Sequence, residues 1–436
     1  MDSGKIHEII SSYNRFWITR AIDSGITRDV LERCVRQLET KEIILLKGVR
    51  RSGKSTLMAQ IIRYLLEQGK SPKQILRINL EEPLLAAENS IELLERIYRV
   101  YRERVNPSGR CYLFLDEIQN IPQWEKWVRG RSETEDVKMV VAGSSSRLLS
   151  REAGTKLTGR HISFEIFPLS FVEFLRFNEL TVKSKEEYYL QKSTIRKLFT
   201  AYMHYGGFPE VVLRRDSEQK ELLLKQYFED ILHRDVVSRY EIRDTMTLQN
   251  LGVFLMTNIG RLTSITNLKK NLNVSQDKVE NYLSALMESY LLFRVPKFDF
   301  SMKKSIRARF KPYAVDTGLR NRVSFSFSGD TGWLAENIVL NHLRTRHEEI
   351  YYHANGGDID FIVKEGMNVT RYIQVWFDDA AETTVPEREL RSFEYPALSK
   401  VSAEYLLLTN DLDTSMTVGE KNIRCLSITM FLLDIK

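Results

Sequence analysis

Gly48-Val49-Arg50-Arg51-Ser52-Gly53-Lys54-Ser55, followed by Thr56, decides how this chain is read. The stretch fits G-x-x-x-x-G-K-[ST]. Glycines let the backbone turn so that successive N–H groups face phosphate oxygens, and a helix that follows adds its positive N-terminal end. The apolar run at 43–47 predicts a strand before the loop, and residues 56–66 predict a helix after it. That is the setting a phosphate loop requires. In this role Gly48, Val49, Arg50, Arg51, Ser52, Gly53, Lys54, Ser55 and Thr56 bind nucleotide, with the Lys54 ammonium on the β- and γ-phosphates and the Ser55 hydroxyl on magnesium. A structural turn without a ligand is the alternative.

Downstream, Cys111-Tyr112-Leu113-Phe114-Leu115-Asp116-Glu117 is an apolar strand ending in two carboxylates. Such an end lies at the carboxyl edge of a parallel sheet, where α/β folds bind ligands. Asp116 is expected to hold magnesium and Glu117 to act as general base on the attacking water. The strand at 139–142 runs into Ser144-Ser145-Ser146. In NTPases with an extra strand between these two, a polar residue here contacts the γ-phosphate or the water. Ser145 is the choice, with Ser144 close behind, and a serine-rich helix cap is the alternative. Arg160, just before the last core strand, is a candidate for transition-state charge, within the chain or across an oligomer interface. A surface ion pair is its bland reading. Strands at 43–47, 75–80, 111–115, 139–142 and 162–167 alternate with helices at 54–68, 90–105 and 123–130, which predicts βαβ units and a mostly parallel sheet.

The chain has 436 residues, 43% of them hydrophobic and 28% charged, so two or three domains are expected. No apolar run approaches the ~18–20 residues of a membrane span. The N-terminus lacks a signal-peptide pattern. Cys34, Cys111 and Cys425 are far apart and odd in number, which argues against a disulfide framework or zinc and for free thiols in a reducing cytoplasm. A net charge of +6 permits a nucleic-acid partner without requiring one.

From 170 to 260 the pattern is helical, broken at Gly206-Gly207-Phe208-Pro209. Residues 265–272 and 276–288 have helix-turn-helix spacing. Val279, Tyr282, Leu283 and Leu286 make an apolar face, with Gln276, Lys278, Asn281 and Ser284 elsewhere on the helix. Residues 291–295 would begin a wing. Lys303, Lys304, Arg307, Arg309 and Lys311 then make a candidate phosphate-binding strip, or a solvated loop. DNA or RNA is the candidate partner for residues 276–311. Strands return from 312 around an amphipathic helix at 333–345. The expected domains are an ATPase core at 1–167, a helical lid at 168–245, a winged-helix region at 246–300 and an α/β domain at 301–436.

These residues together resemble the prokaryotic AAA-type ATPases that carry a C-terminal domain of unknown function numbered 4143. Besides the phosphate loop, the resemblance rests on Leu115-Asp116-Glu117-Ile118-Gln119, Ala142-Gly143-Ser144-Ser145-Ser146 and Gly159-Arg160. It continues through Phe167-Pro168-Leu169-Ser170-Phe171, Tyr205-Gly206-Gly207-Phe208-Pro209-Glu210, Arg234-Asp235-Val236-Val237, Val315-Asp316-Thr317-Gly318-Leu319-Arg320, Glu336-Asn337 and Asp358-Ile359-Asp360-Phe361. It implies an ATP-binding core, a winged helix and a nuclease-like C-terminal fold.

The order Glu336, Asp360, Gln374 resembles the restriction-endonuclease-like fold, whose chemistry needs carboxylates on magnesium and a Glu-x-Lys strand. Here Gln374-Val375-Trp376 stands in the Glu-x-Lys position. The fold is therefore expected without cleavage, unless a lysine from elsewhere, such as Lys364, fills the gap. The expected function is a Mg-ATP-hydrolysing switch or motor with a partner-recognising C-terminal half. Its rivals are an ATP-gated nuclease and a signalling ATPase of defence or toxin–antitoxin type acting on a protein partner, with a homo-oligomer possible in each case.

Overall fold

The computed structural model describes residues 2–86, 88–145, 159–299, 301, 304–305, 308–325, 330–354, 358–377, 385–394 and 403–435. The chain forms two compact units, Met1–Phe167 with Glu288–Tyr290, and Pro168–Met287 with Leu291–Lys436. Among the described residues, no helix is long and apolar enough to cross a membrane.

The first unit contains α1 (Ser3–Tyr13), β1 (Ile43–Lys47), α2 (Lys54–Glu67), β2 (Ile75–Asn79), α3 (Ile91–Arg104), β3 (Cys111–Asp116), α4 (Trp124–Thr134), β4 (Val137–Gly143) and β5 (His161–Glu165). Its strands form one parallel sheet in the order β2-β3-β4-β1-β5. They are near-continuous apolar runs because both faces are covered. Ile43, Leu45, Leu113 and Val141 pack with Ile6 and Ile10 of α1, Leu94 and Ile97 of α3 and Trp127 of α4. Ile44, Leu46, Phe114 and Val140 pack with Leu57, Met58 and Ile61 of α2 on the other side. β4 lies between β1 and β3, so the two strands that lead into the candidate site are not neighbours.

The second unit opens with α5 (Phe171–Phe177), α6 (Lys185–Tyr205), α7 (Pro209–Leu213) and α8 (Ser217–Asp230), which widens into a π-helical stretch at Ile231–Val237. Then come α9 (Thr245–Thr257), α10 (Ile265–Leu272), α11 (Gln276–Glu288), β6 (Leu292–Pro296) and β7 (Phe310–Ala314). β6 and β7 pair antiparallel, and Thr263 bridges to Phe310. The C-terminal part contains α12 (Thr317–Val323), α13 (Thr331–Arg344), β8 (Glu349–Ala354), β9 (Asp358–Glu365), β10 (Asn368–Val375), β11 (Glu404–Thr409), β12 (Thr414–Val418), β13 (Lys421–Ser427) and α14 (Ile428–Leu432). Its sheet runs β12-β13-β11-β10-β9-β8, with β10, β11 and β13 parallel and the other pairings antiparallel. α13 buries Ala335, Ile338 and Val339 in a core with Phe361, Ile373 and Leu406.

Two family-like motifs meet inside this unit. A Cβ on Gly206 would overlap the Asp316 carboxylate, and one on Gly318 would overlap the Tyr205 carbonyl. Gly206 also has φ +71°, the left-handed region that glycine enters freely. Asp316 Oδ2 accepts from the Gly207 N–H at 2.7 Å, and Oδ1 caps α12 by accepting from Leu319 N at 2.9 Å. Arg320, fully buried, donates to Met256 O at 3.1 Å and pairs with Asp330 at 2.5 Å. Val315-Asp316-Thr317-Gly318-Leu319-Arg320 is thus a brace between α6, α9 and α12.

The candidate nucleic-acid surface needs correction. Lys311 is buried, and Lys303 and Arg307 lie outside the described residues. Lys304 and Arg309 are exposed. On α11, Lys278 is ion-paired with Asp244 at 2.5 Å. The exposed positions are Gln276, Asp277, Glu280, Asn281 and Ser284, so this face presents two acids and no unpaired cation. Asp277, Glu280, Asn281 and Ser284 are spaced i, i+3, i+4 and i+7, so helical spacing itself puts both acids on the face of Asn281 and Ser284.

Candidate functional site

β1 delivers the chain to Gly48 at the carboxyl edge of the first sheet. Gly48 has φ +152°, and a Cβ there would overlap the Ile166 carbonyl, so only glycine fits. Arg51 and Gly53 also have positive φ, 70° and 97°. These turns fold the loop back on itself before α2 begins at Lys54. The Lys54 side chain is buried, and its Nζ donates to Gly48 O and Val49 O at 2.9 Å each. Ser55 and Thr56, in the first turn of α2, are exposed. Ser52 is fully buried, and its Oγ has no hydrogen-bond partner among the described residues. The Arg50 guanidinium reaches Glu81 with both terminal nitrogens at 3.2 Å.

Two strands away, β3 ends at Asp116, which is buried and aligned with Asn79 of β2. Glu117 turns out of the strand with φ 54°, a left-handed conformation uncommon for a side chain of this size. Its N–H donates to Asp116 Oδ1 at 3.1 Å. Burial raises the Glu117 carboxyl above the usual range. The Lys54 charge opposes that rise, Asp116 adds to it, and Arg50 opposes it again. Lys54 and the Asp116-Glu117 pair are thus electrostatically one site. β4, between the two strands, aligns Gly143 with Lys47, which brings Ser144 and Ser145 to the same edge, both buried. Gln119 Nε2 donates to the Glu117 carboxylate and to Ser144 Oγ, the latter at 3.3 Å.

Two residues escape sequence reasoning. Gln119 follows Glu117 in a 3-10 turn, Ile118–Asn120, and nothing in its spacing marks it as a partner of the carboxylate. Arg28, buried, donates to Ser52 O at 2.7 Å and Phe167 O at 3.0 Å, while its N–H donates to Gln60 Oε1 at 3.1 Å. It braces the loop from a segment with no motif. Ser146 lies outside the described residues.

Arg160 is a correction for the within-chain role. Its carbonyl accepts from Ile43 N at 2.9 Å, and His161 aligns with Ile43. It therefore sits at the amino edge of β1, whereas the loop leaves the carboxyl edge. At ~3.3 Å per residue the five-residue strand separates them by roughly 16 Å. Its guanidinium is ion-paired with Glu133 of α4, and the side chain is 52% exposed.

Residues 40–175 match the model of an AAA domain, and residues 196–330 match that of a domain of unknown function numbered 8612. An uncharacterized protein of Methanocaldococcus jannaschii is 33% identical over 404 residues, spanning 88% of this chain and 87% of that one. The chain belongs to the family of that protein. A further member, an uncharacterized protein of Haemophilus influenzae, is 30% identical over 358 residues, covering 80% and 86% of the two chains. In the family's AAA domain, residues 40–175 hold the whole cluster from Gly48 to Ser145. The number 4143 expected for the C-terminal domain is replaced by 8612, and the match lies at 196–330 rather than at the end of the chain. Short motifs such as Asp358-Ile359-Asp360-Phe361 do not separate one such domain from another. Among solved structures, the Orc1 protein of Aeropyrum pernix in complex with DNA has 14% identity and a TM-score of 0.34, covering 76% of this chain and 98% of that one. A likeness of that size carries no argument about this chain.

Proposed function

We propose that this protein is a magnesium-dependent ATPase whose site is the Gly48–Ser55 loop together with Asp116 and Glu117. The observation that carries this is the convergence of a buried ammonium, Lys54, and a buried carboxylate pair on one sheet edge on either side of β4. The residues suit a polyphosphate: Ser52 Oγ is a buried hydroxyl without a partner among the described residues, and Gly48 leaves no room for a Cβ. Lys54 and the loop N–H groups would hold phosphates, Ser55 and Asp116 the magnesium. Magnesium, when bound, neutralises charge developing on the phosphoryl oxygens. Glu117, raised by burial, is poised to take a proton from water, with Gln119 and Ser144 fixing its position. Calorimetry and turnover test this together. Lys54→Ala should lose ATP binding, and Glu117→Gln should keep binding but lose turnover. Retained turnover in Glu117→Gln would place the base elsewhere.

We assign residues 168–245 as a helical lid, and residues 246–314 as a winged-helix module extended to β7. The chain's other half serves as a partner-recognising output, with a cytoplasmic location suited to its three free cysteines. The two acids on the exposed face of α11 favour a protein partner over a nucleic acid read by that helix. A nucleic-acid role would fall to Lys304 and Arg309 instead. Binding to DNA or RNA that weakens steeply with salt, and weakens further in Lys304→Glu, would support that second reading.

A further inference from the structure

A pocket of about 330 Å³ opens in the second unit between α6 and the carboxyl ends of three neighbouring parallel strands. Phe377 lies just beyond β10, Asn410 just beyond β11 and Ile428 just beyond β13, and all three line it. That edge is where open α/β sheets bind ligands. α6 supplies the opposite wall from one helix face, on which Lys192, Arg196 and Thr200 recur every fourth residue with Phe199 and Met203 beside them. The pocket shares no residue with the buried Lys311 cluster, in which Nζ lies 2.9 Å from Glu336 Oε1 on α13 and 2.8 Å from Asp360 Oδ1 on β9. Lys364, the alternative lysine, is paired with Glu349 at 2.8 Å.

The pocket has an apolar floor. Phe199, Met203 and Ile428 are buried, and Phe199 meets Phe377 edge-on with ring centroids 5.8 Å apart. Beside the floor, the buried hydroxyls of Tyr188, Ser427 and Thr429 bond one another at 2.8 to 3.2 Å. They fix the Thr429 hydroxyl in the pocket wall, and a few placed polar groups on an apolar lining are what a ligand site needs. At the mouth the charges do not cancel. Lys192 Nζ lies 2.6 Å from Asp411 Oδ1, so these two neutralise each other. That leaves the Arg196 guanidinium, exposed and with no hydrogen-bond or ion-pair partner among the described residues. Its planar fork of donors suits a carboxylate or a phosphate. The volume lies near the lower end of the roughly 300–1,000 Å³ range of ligand sites, which admits a small molecule rather than a peptide.

We propose that this pocket binds a small organic anion, its apolar body on Phe199, Met203, Phe377 and Ile428 and its carboxylate or phosphate on Arg196. Thr429 offers a hydroxyl to a polar atom of the body. Every residue of the site lies in the second unit, so the proposal is independent of the ATPase reading.

The test uses the full chain carrying Lys54→Ala, so that a phosphate probe is not held at the Gly48 loop. Saturation-transfer NMR titrations compare phenylacetate, phenyl phosphate and uncharged benzyl alcohol. At least one anion should bind saturably and about tenfold tighter than benzyl alcohol. The tighter of the two names carboxylate or phosphate as the group recognised. Arg196→Ala should bring that anion down to the level of benzyl alcohol. Thr200→Trp, which puts an indole at the mouth, should weaken all three probes. Arg196 and Thr200 are both exposed, so both variants should keep the fold, which circular dichroism checks. Binding by neither anion, no preference over benzyl alcohol, or a preference that survives Arg196→Ala overturns the proposal.

Discussion

The side-chain amide of Gln119 donates to the Glu117 carboxylate and joins it to Ser144 on the neighbouring strand end. Gln119→Leu should therefore leave ATP affinity unchanged while lowering kcat on the order of tenfold, about 1.4 kcal/mol in the barrier. Glu117→Gln should cost more, about 10²–10⁴-fold. The acid limb of the kcat–pH profile should lie above the ordinary carboxylate range, because burial raises Glu117 and the rate needs it ionised. An acid limb at an unperturbed carboxylate pKa would separate Glu117 from the rate.

Gly48→Ala should abolish nucleotide binding and destabilise the first unit by about 1–3 kcal/mol, because the new methyl meets the Ile166 carbonyl rather than a yielding side chain. Gly130, within α4, has nothing within 4 Å of an added Cβ. Gly130→Ala should raise stability by about 0.5–1 kcal/mol with binding intact. Urea denaturation with a nucleotide titration distinguishes the two.

Asp316 gives the second unit an inverted acid dependence. Burial pushes its carboxyl up from 3.8 to about 6, against the N–H groups of Gly207, Leu319 and Gly318. The folded state thus holds this proton more tightly than the unfolded chain. Its contribution is full below about pH 4 and is lost as pH rises through about 6. Asp316→Asn should flatten the stability curve over that window. A curve unchanged in shape would show that Asp316 does not titrate there.

Arg160→Ala should cost no more than about 1 kcal/mol, the usual worth of an exposed ion pair, and should leave turnover of dilute monomer unchanged. Mixing Arg160→Ala with Lys54→Ala chains tests action on a neighbouring subunit. Hydrolysis recovered in the mixture would give Arg160 a role across an interface.

The first sheet was legible because its physics is local to each strand. Ile43–Lys47 and Cys111–Asp116 are apolar on both faces and end in chemistry-bearing residues. What sequence does not carry is register between distant strands. Arg160 reads as neighbour to the site until its pairing with Ile43 puts it at the other edge. Lys311 reads as solvated because a run of Lys and Arg usually is. The alternation Phe310, Pro312, Ala314 against Lys311, Tyr313 would place both polar residues on one strand face, yet not the carboxylates of α13 and β9 beneath it. Gln119 and Arg28 each act through two side-chain hydrogen bonds that no periodicity marks.

The strand order of the first sheet also sets a timetable during synthesis. β1 is the first strand made, but its partners are β4 and β5, which begin at Val137 and His161. At about 5–20 residues per second, the 89 residues between β1 and β4 take about 4 to 18 s to appear. Through that interval Ile43-Ile44-Leu45-Leu46 has no native strand partner, and an unpaired apolar strand invites foreign ones. Ile166, whose carbonyl lies against Gly48, is made later still. The loop that would earn its ligand is among the last parts of its unit to become real.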